Sequence, residues 1–274
     1  MGLDILNEMP KNKTVLMCPP TYFDIEYEIN PWMHQDDRVQ PEVAGRQWQE
    51  LYEIYIQKLG WHVELAEPFN HLPDMVFATD SCVVIGEKVL LSNFRYPERQ
   101  PETAQYGKWF LEHGYTNLKR ATHIFEGGDT LLFGNKIIAG YGFRSDPQAH
   151  DELSQYFGRE VIPLHIVDPF FYHLDTSLAV LDDQTVAYYP GAIDEGSQKR
   201  LQKAVPNLIE ATAEEAKGFG LNAVSDDHTI ICSDESPSLL QKYRDAKFEV
   251  IGTSILEFRK SGGGVKCLTL DLSS

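Results

Sequence analysis

The sequence predicts an α/β ring of five pseudo-symmetric ββαβ modules, read as one domain over residues 1–274. Three regularities predict it. Hairpin signals recur at a near-constant interval, one amphipathic helix follows each, and one short strand follows each helix. The turn markers Gly86, Gly134, Asp182 and Asp226 stand 48, 48 and 44 residues apart. Such a period marks stacked supersecondary units, none of which can bury its apolar face alone.

The hairpins span residues 83–91, 130–138, 178–189 and 223–232, with apolar or β-branched arms around Gly, Asn or Asp. Helical spacing joins Trp48, Leu51, Tyr52, Tyr55 and Leu59, with Gly60 as a C-terminal cap. Tyr106, Trp109 and Phe110 repeat the pattern before Gly114. Asp146-Pro147 and Ser236-Pro237 read as starts of two more helices, and residues 195–205 form a weaker one before Pro206. Strand-like runs follow at 62–65, 117–119, 160–164, 207–211 and 248–251. Only four hairpins are complete. The fifth is assembled from the two ends, residues 14–18 against 265–270, which closes the ring and removes its exposed edges. A doubly wound α/β sheet is the alternative, though it does not need so many hairpins.

The chain has 274 residues, 42% of them hydrophobic, enough for a large core. No window reaches the apolar length of a membrane span, and Met1 to Thr14 lacks a signal-peptide core. The expected location is therefore cytoplasmic, with Cys18, Cys82, Cys232 and Cys267 as reduced thiols. No Cys-x-x-Cys pair is present, and no metal or other cofactor is expected. A net charge of −17 argues against nucleic acid or an anionic membrane as partner and suits a small cationic ligand. A homo-oligomer stays open.

Polar clusters occupy one equivalent slot in every module, just before the hairpin. The slots hold Thr79-Asp80-Ser81, Glu126-Gly127-Gly128-Asp129, His173-Leu174-Asp175 and Gly220-Leu221-Asn222. The fifth holds the glycine run ending at Cys267. In a closed ring, equivalent slots face the common axis, so carboxylates, one histidine and one thiol converge there. Taken singly, each has an ordinary reading. Asp80 or Asp175 suits a turn or cap, His173 a hydrogen-bonded structural residue, and Cys267 a small buried hydrophobe. Their joint placement favours chemistry. A metal held by His173, Glu126, Asp129 and Asp175 ranks lower, with a single histidine at the centre. No Gly-x-Ser-x-Gly elbow supports a serine hydrolase.

The stretches Phe77-Ala78-Thr79-Asp80, Glu126-Gly127-Gly128-Asp129, His173-Leu174-Asp175 and Gly262-Gly263-Gly264-Val265-Lys266-Cys267 resemble the guanidino-group-modifying enzymes. These are the arginine deiminases, dimethylarginine dimethylaminohydrolases and amidinotransferases. The resemblance spans most of the chain and implies a five-bladed pseudo-symmetric α/β propeller built from ββαβ modules. It also implies cysteine-dependent hydrolysis of the guanidino group of arginine or a related compound through a covalent thiouronium. Asp80, Glu126 and Asp175 would grip the planar guanidinium. Cys267 would attack its carbon, and His173 would protonate the leaving amine and then activate water. Asp129 would orient its neighbours or bind the polar end of the substrate. So many carboxylates should keep the Cys267 thiol protonated until the cationic substrate enters.

An amino-acid substrate needs a cation for its carboxylate. Arg95, Arg99 and Arg144 are the candidates, each of which reads equally well as a surface arginine. Asn30, in Ile29-Asn30-Pro31-Trp32-Met33, belongs to a lid-like stretch similar to one in arginine dihydrolases, as is Arg95-Tyr96-Pro97-Glu98-Arg99. That branch has Asn where this chain has Asp80, which favours a single hydrolytic cycle. The methylarginine branch tends to have Lys at the position of Asp175, which fits that substrate less well. An amidinotransferase using an amine acceptor is the close alternative. A non-catalytic binding ring, as in a ribosome-binding translation factor, is the remote one.

Overall fold

The structure, a computed structural model, describes residues 13–273; most of the segment weighed as a signal peptide lies outside the described residues. The described strands form five three-stranded sheets. In four of them a hairpin supplies two antiparallel strands, and the strand after the helix pairs in parallel with the second. The first such blade contains β3 (Cys82–Ile85), β4 (Lys88–Leu91) and β5 (Asn117–Arg120). The next has β6 (Thr130–Phe133), β7 (Lys136–Tyr141) and β8 (Val161–His165). Then come β9 (Leu178–Val180), β10 (Thr185–Tyr188) and β11 (Asn207–Glu210). The fourth holds β12 (Val224–Ser225), β13 (Thr229–Ser233) and β14 (Glu249–Thr253).

The fifth blade joins the two ends. β1 (Thr14–Met17) pairs in parallel with β2 (His62–Leu65) and antiparallel with β15 (Leu270–Asp271), Leu16 opposite Leu270. The fold is thus a five-bladed α/β propeller. One detail differs from the sequence expectation, which ran the closing strand through residues 265–270. Residues 265–268 form turns instead, with Leu268 N–H donating to Gly264 O and Thr269 N–H to Lys266 O. Cys267 is therefore on a turn ahead of the strand.

Parallel pairing demands a crossover, and helices supply it. They are α1 (Pro41–Glu53), α2 (Glu102–Glu112), α3 (Ala149–Phe157), α4 (Glu195–Ala204) and, after α5 (Ala213–Lys217), α6 (Pro237–Asp245). α1 runs on into a π-helical turn, Ile54–Lys58, and the chain reverses at Gly60. α3 ends on Gly158 in the left-handed region, as its sequence required. The expected caps at its start and that of α6 are not made: Asp146 faces Arg95, and the Ser236 hydroxyl donates to Glu215 O. α5 and α7 (Leu256–Arg259) escaped the periodicity because each spans little more than one turn.

Apolar side chains pack between blades and under the helices. Val84, Val89 and Leu91 meet Tyr106, Trp109 and Phe110 of α2, while Leu131 and Phe133 meet Leu178 and Val186 of the next blade. Polar slots are left to the axis. Three of them are single 3-10 turns, Ala78–Ser81, Gly127–Asp129 and Leu174–Thr176, each leading directly into or just ahead of its hairpin.

Candidate active site

Adjacent slots are bonded to one another around the axis. Thr79 N–H donates to Cys267 O at 3.2 Å, Leu174 N–H to Asp129 Oδ1 at 3.0 Å, and Asn222 Nδ2 to Asp175 O at 2.9 Å. Asn222 Oδ1 accepts from the backbone of both Lys266 and Cys267. The glycines make this closeness feasible. A Cβ on Gly127 would lie 2.2 Å from Thr79 O, and one on Gly128 would lie 2.5 Å from Asp80 Oδ1 and 2.8 Å from His173 Nδ1. The run before Cys267 is equally tight, because a Cβ on Gly263 would lie 2.2 Å from the Phe77 ring.

Asp80, Glu126, Asp129, His173, Asp175 and Cys267 are all buried. The Cys267 Sγ is 3.6 Å from Asp175 Oδ2 and receives a hydrogen bond from Asn222 Nδ2 at 3.1 Å. Burial first, then Asp175 and Asp80, push the thiol well above its ordinary range. Burial and the charge of Asp80 likewise raise Asp175.

His173 Nε2 pairs with Glu126 Oε2 at 2.8 Å, and its Nδ1 faces Asp80 Oδ1 at 3.4 Å without the alignment of a hydrogen bond. Burial alone would lower the imidazole, but Asp80 and Glu126 overrule it and push it up to about 9. Glu126 goes the other way. Burial opposes its charge, yet Arg144 and His173 hold it below the usual carboxylate range. The site therefore favours the charged imidazole and disfavours the thiolate. Asp80 Oδ1 has no hydrogen-bond partner among the described residues, which leaves a buried acceptor open for a cationic donor.

The three arginines differ sharply. Arg99 is buried, with Nη1 on Asp80 Oδ2 at 2.7 Å and a fork onto Glu102 at 2.9 Å. That double pairing occupies the face it would offer a ligand. Arg95 turns its guanidinium to Asp146, and it is its backbone N–H that reaches Glu126 Oε1. Arg144 alone of the three lines a cavity of about 420 Å³ with an open mouth, beside Ile29, Asn30, Tyr96 and Tyr172; none of Asp80, Glu126, His173, Asp175 and Cys267 lines it. Its Nη1 donates to Glu126 Oε2 at 2.8 Å, and its guanidinium lies between the rings of Tyr96 and Tyr172. Asn30 fixes the segment over that mouth: Nδ2 donates to Ser261 O, and Oδ1 accepts from Trp32 N–H. Asp129 is turned to the backbone of Leu174, one position from His173.

Sequence reasoning named no role for Asn222, although it occupies the fourth slot, and it missed Glu102 and Asp74. Asp74 accepts from Tyr27 Oη and Ser261 Oγ and thereby ties the mouth segment to the glycine run. Neither acid carries a motif of its own.

Known proteins match the chain over most of its length. The family model described as N,N dimethylarginine dimethylhydrolase, eukaryotic, matches residues 19–274. The chain is 40% identical to the N(G),N(G)-dimethylarginine dimethylaminohydrolase of Mycobacterium tuberculosis over 96% of its own length and 87% of that protein's. It is 38% identical to the bifunctional arginine dihydrolase/ornithine cyclodeaminase ArgZ of Synechocystis, covering 93% of this chain but only 37% of ArgZ. Among solved structures, the substrate-bound N-terminal domain of ArgZ, an arginine dihydrolase, superposes with a TM-score of 0.91 at 36% identity, over 96% of this chain and 98% of that one. With matches of this extent, the chain belongs to the dimethylarginine dimethylaminohydrolase family, hydrolases acting on the C–N bonds of linear amidines.

Proposed function

We propose that the chain, as one catalytic domain, hydrolyses the guanidino group of arginine or a closely related amino acid to a ureido product, with Cys267 as nucleophile. The observation that carries this reading is the buried Cys267–Asp175 contact next to an Asp80 oxygen that accepts no hydrogen bond among the described residues. A planar cation rich in N–H donors satisfies both needs at once.

Entry of the guanidinium supplies the positive charge that the thiol lacks, and the thiol proton is released to solvent. The thiolate attacks the guanidinium carbon and forms a C–S bond. His173, held protonated by Glu126 and Asp80, gives its proton to the departing nitrogen as the C–N bond breaks. Water then adds to the thiouronium carbon and His173 takes one of its protons; as the C–S bond breaks the remaining hydroxyl proton passes to solvent, which leaves the ureido carbonyl and returns the thiolate. Arg144, with Asn30 nearby, receives the substrate carboxylate at the mouth. A carboxylate at Asp175, which suits an unsubstituted guanidinium, favours ammonia as leaving group. The Mycobacterium relative favours the second reading, in which dimethylamine leaves.

Incubation with arginine or Nω,Nω-dimethylarginine, followed by assay of ureido product, ammonia and dimethylamine, separates the two. Cys267→Ser is expected to lose turnover by at least about a thousandfold, and mass spectrometry of quenched wild-type enzyme should find the adduct on Cys267. Formation of no ureido product from either substrate would sink the proposal, as would an active Cys267→Ser enzyme.

A further inference from the structure

The residue next to the thiol faces the other way. Lys266 lines a second cavity, of about 160 Å³, with Lys13, Thr79, Gly127, Thr130, Ser225 and Asp271 among its walls. None of the residues around the mouth cavity lines it. The tight turn through 265–268 explains the division, since consecutive side chains there diverge. Cys267 goes to the carboxylates and Lys266 to the opposite side of the axial floor.

The Lys266 ammonium is anchored rather than free. Nζ donates to Thr79 Oγ1 at 2.7 Å and to Thr269 O at 3.3 Å. Thr79 precedes Asp80, and its N–H donates to Cys267 O. Two bonds therefore run between the Asp80 segment and the Cys267 turn, one from backbone and one from Lys266.

Charge gives this anchor a purpose. Asp80 is paired by Arg99, and Glu126 by Arg144 and His173. Asp175, the carboxylate touching the thiol, has no cation within 4.0 Å among the described residues. Its nearby positive groups are His173 and Lys266; burial lowers the Lys266 ammonium on balance and Lys13 opposes its charge, while Asp175, Asp271 and Cys267 favour it. The groups facing Cys267 itself are Asp175, Asp80, Tyr172 and Asn222.

We infer that Lys266 is a positioning residue that pins the Cys267 turn to the Asp80 segment and supplies, from the far side of the floor, the positive charge balancing Asp175 and the Cys267 thiolate. Its charge offsets part of what burial and the carboxylates impose on the thiol, so less remains for the cationic substrate to supply. This rests on Cys267 being the reactive thiol, but the test reads that thiol directly.

The experiment is a pH titration of ultraviolet thiolate absorbance in substrate-free enzyme, with Cys267→Ser as blank. Lys266→Met is expected to move the Cys267 midpoint upward by about one pH unit, whereas Lys266→Arg keeps it near wild type. Thr79→Val, which keeps the charge but frees the ammonium, should give a smaller upward shift. Superimposable wild-type and Lys266→Met curves would overturn the inference, and so would a Lys266→Arg curve displaced as far as that of Lys266→Met. Should Lys266→Met fail to fold, the comparison of Lys266→Arg with Thr79→Val decides: an unshifted Thr79→Val curve then overturns it. Loss of turnover with an unmoved midpoint would also count against it, while leaving the nucleophile assignment intact.

Discussion

His173 shows how a single residue takes its character from its neighbours. An imidazole this deeply buried would normally be neutral, yet Glu126 and Asp80 keep its proton. Two pH effects follow from its rise to about 9. The value of kcat/KM should fall as pH rises through about 9, because the free enzyme then loses the acid that protonates the leaving nitrogen. Stability should move in step. The folded imidazole binds its proton more tightly than the unfolded one, whose value is about 6.5. The stabilisation is therefore complete below that unfolded value and fades as pH climbs through about 9. Thermal melts of wild type and His173→Asn across this range check it. A wild-type pH dependence identical to that of the asparagine variant would refute the assignment. His173 was legible in the sequence because it shares a slot with Asp175. Its protonation was not, because that depends on Glu126, whose oxygen arrives from 47 positions away.

At the scale of the element, the turn from Gly262 to Cys267 does what the glycine run promised, by another route. The run was read as the approach to a strand. Instead it lets the backbone pass against Phe77, Tyr172 and Asn222 and then turn the thiol inward. Gly263 is the tightest of these approaches. Gly263→Ala should cost about 1–3 kcal/mol, seen as a lower Tm, together with a drop in kcat as the thiol moves off Asp175. Gly45→Ala in α1 is the control, since its Cβ would meet nothing within 4 Å. It should be neutral or raise Tm slightly. Equal melting temperatures for Gly263→Ala and wild type would remove the steric argument. The strands after the helices and the hairpins were legible because apolar alternation and Gly or Asp turns act locally. The caps of α3 and α6 were misjudged because tertiary partners, Arg95 and Glu215, claim the side chains first.

For the whole molecule, the number of blades and the meeting of the two ends were readable from the period, since four hairpins and five helices leave one blade unfinished. The exact register was not, because β15 is two residues long and carries little pattern of its own. Its weight lies in packing: Leu270 is buried with Leu16, Cys18 and Val89. Leu270→Ala should cost about 2–5 kcal/mol and lower kcat as well, since the strand follows the Cys267 turn directly. Leu111→Ala, on an exposed side chain of α2, should change neither. A Leu270→Ala enzyme with wild-type Tm would show that the seam contributes little. The seam also has a consequence in time. Lys13 and Asp271, which bridge it at 2.8 Å, are 258 positions apart. On the ribosome, four blades can be made and begin to fold before their last partner emerges. Closure of so distant a contact is entropically slow, and the thiol is the last of the pocket's reactive groups to be synthesised. A chain made only as far as its fourth blade already has its carboxylates and imidazole but no nucleophile, so reactivity begins only when the ring can shut around it.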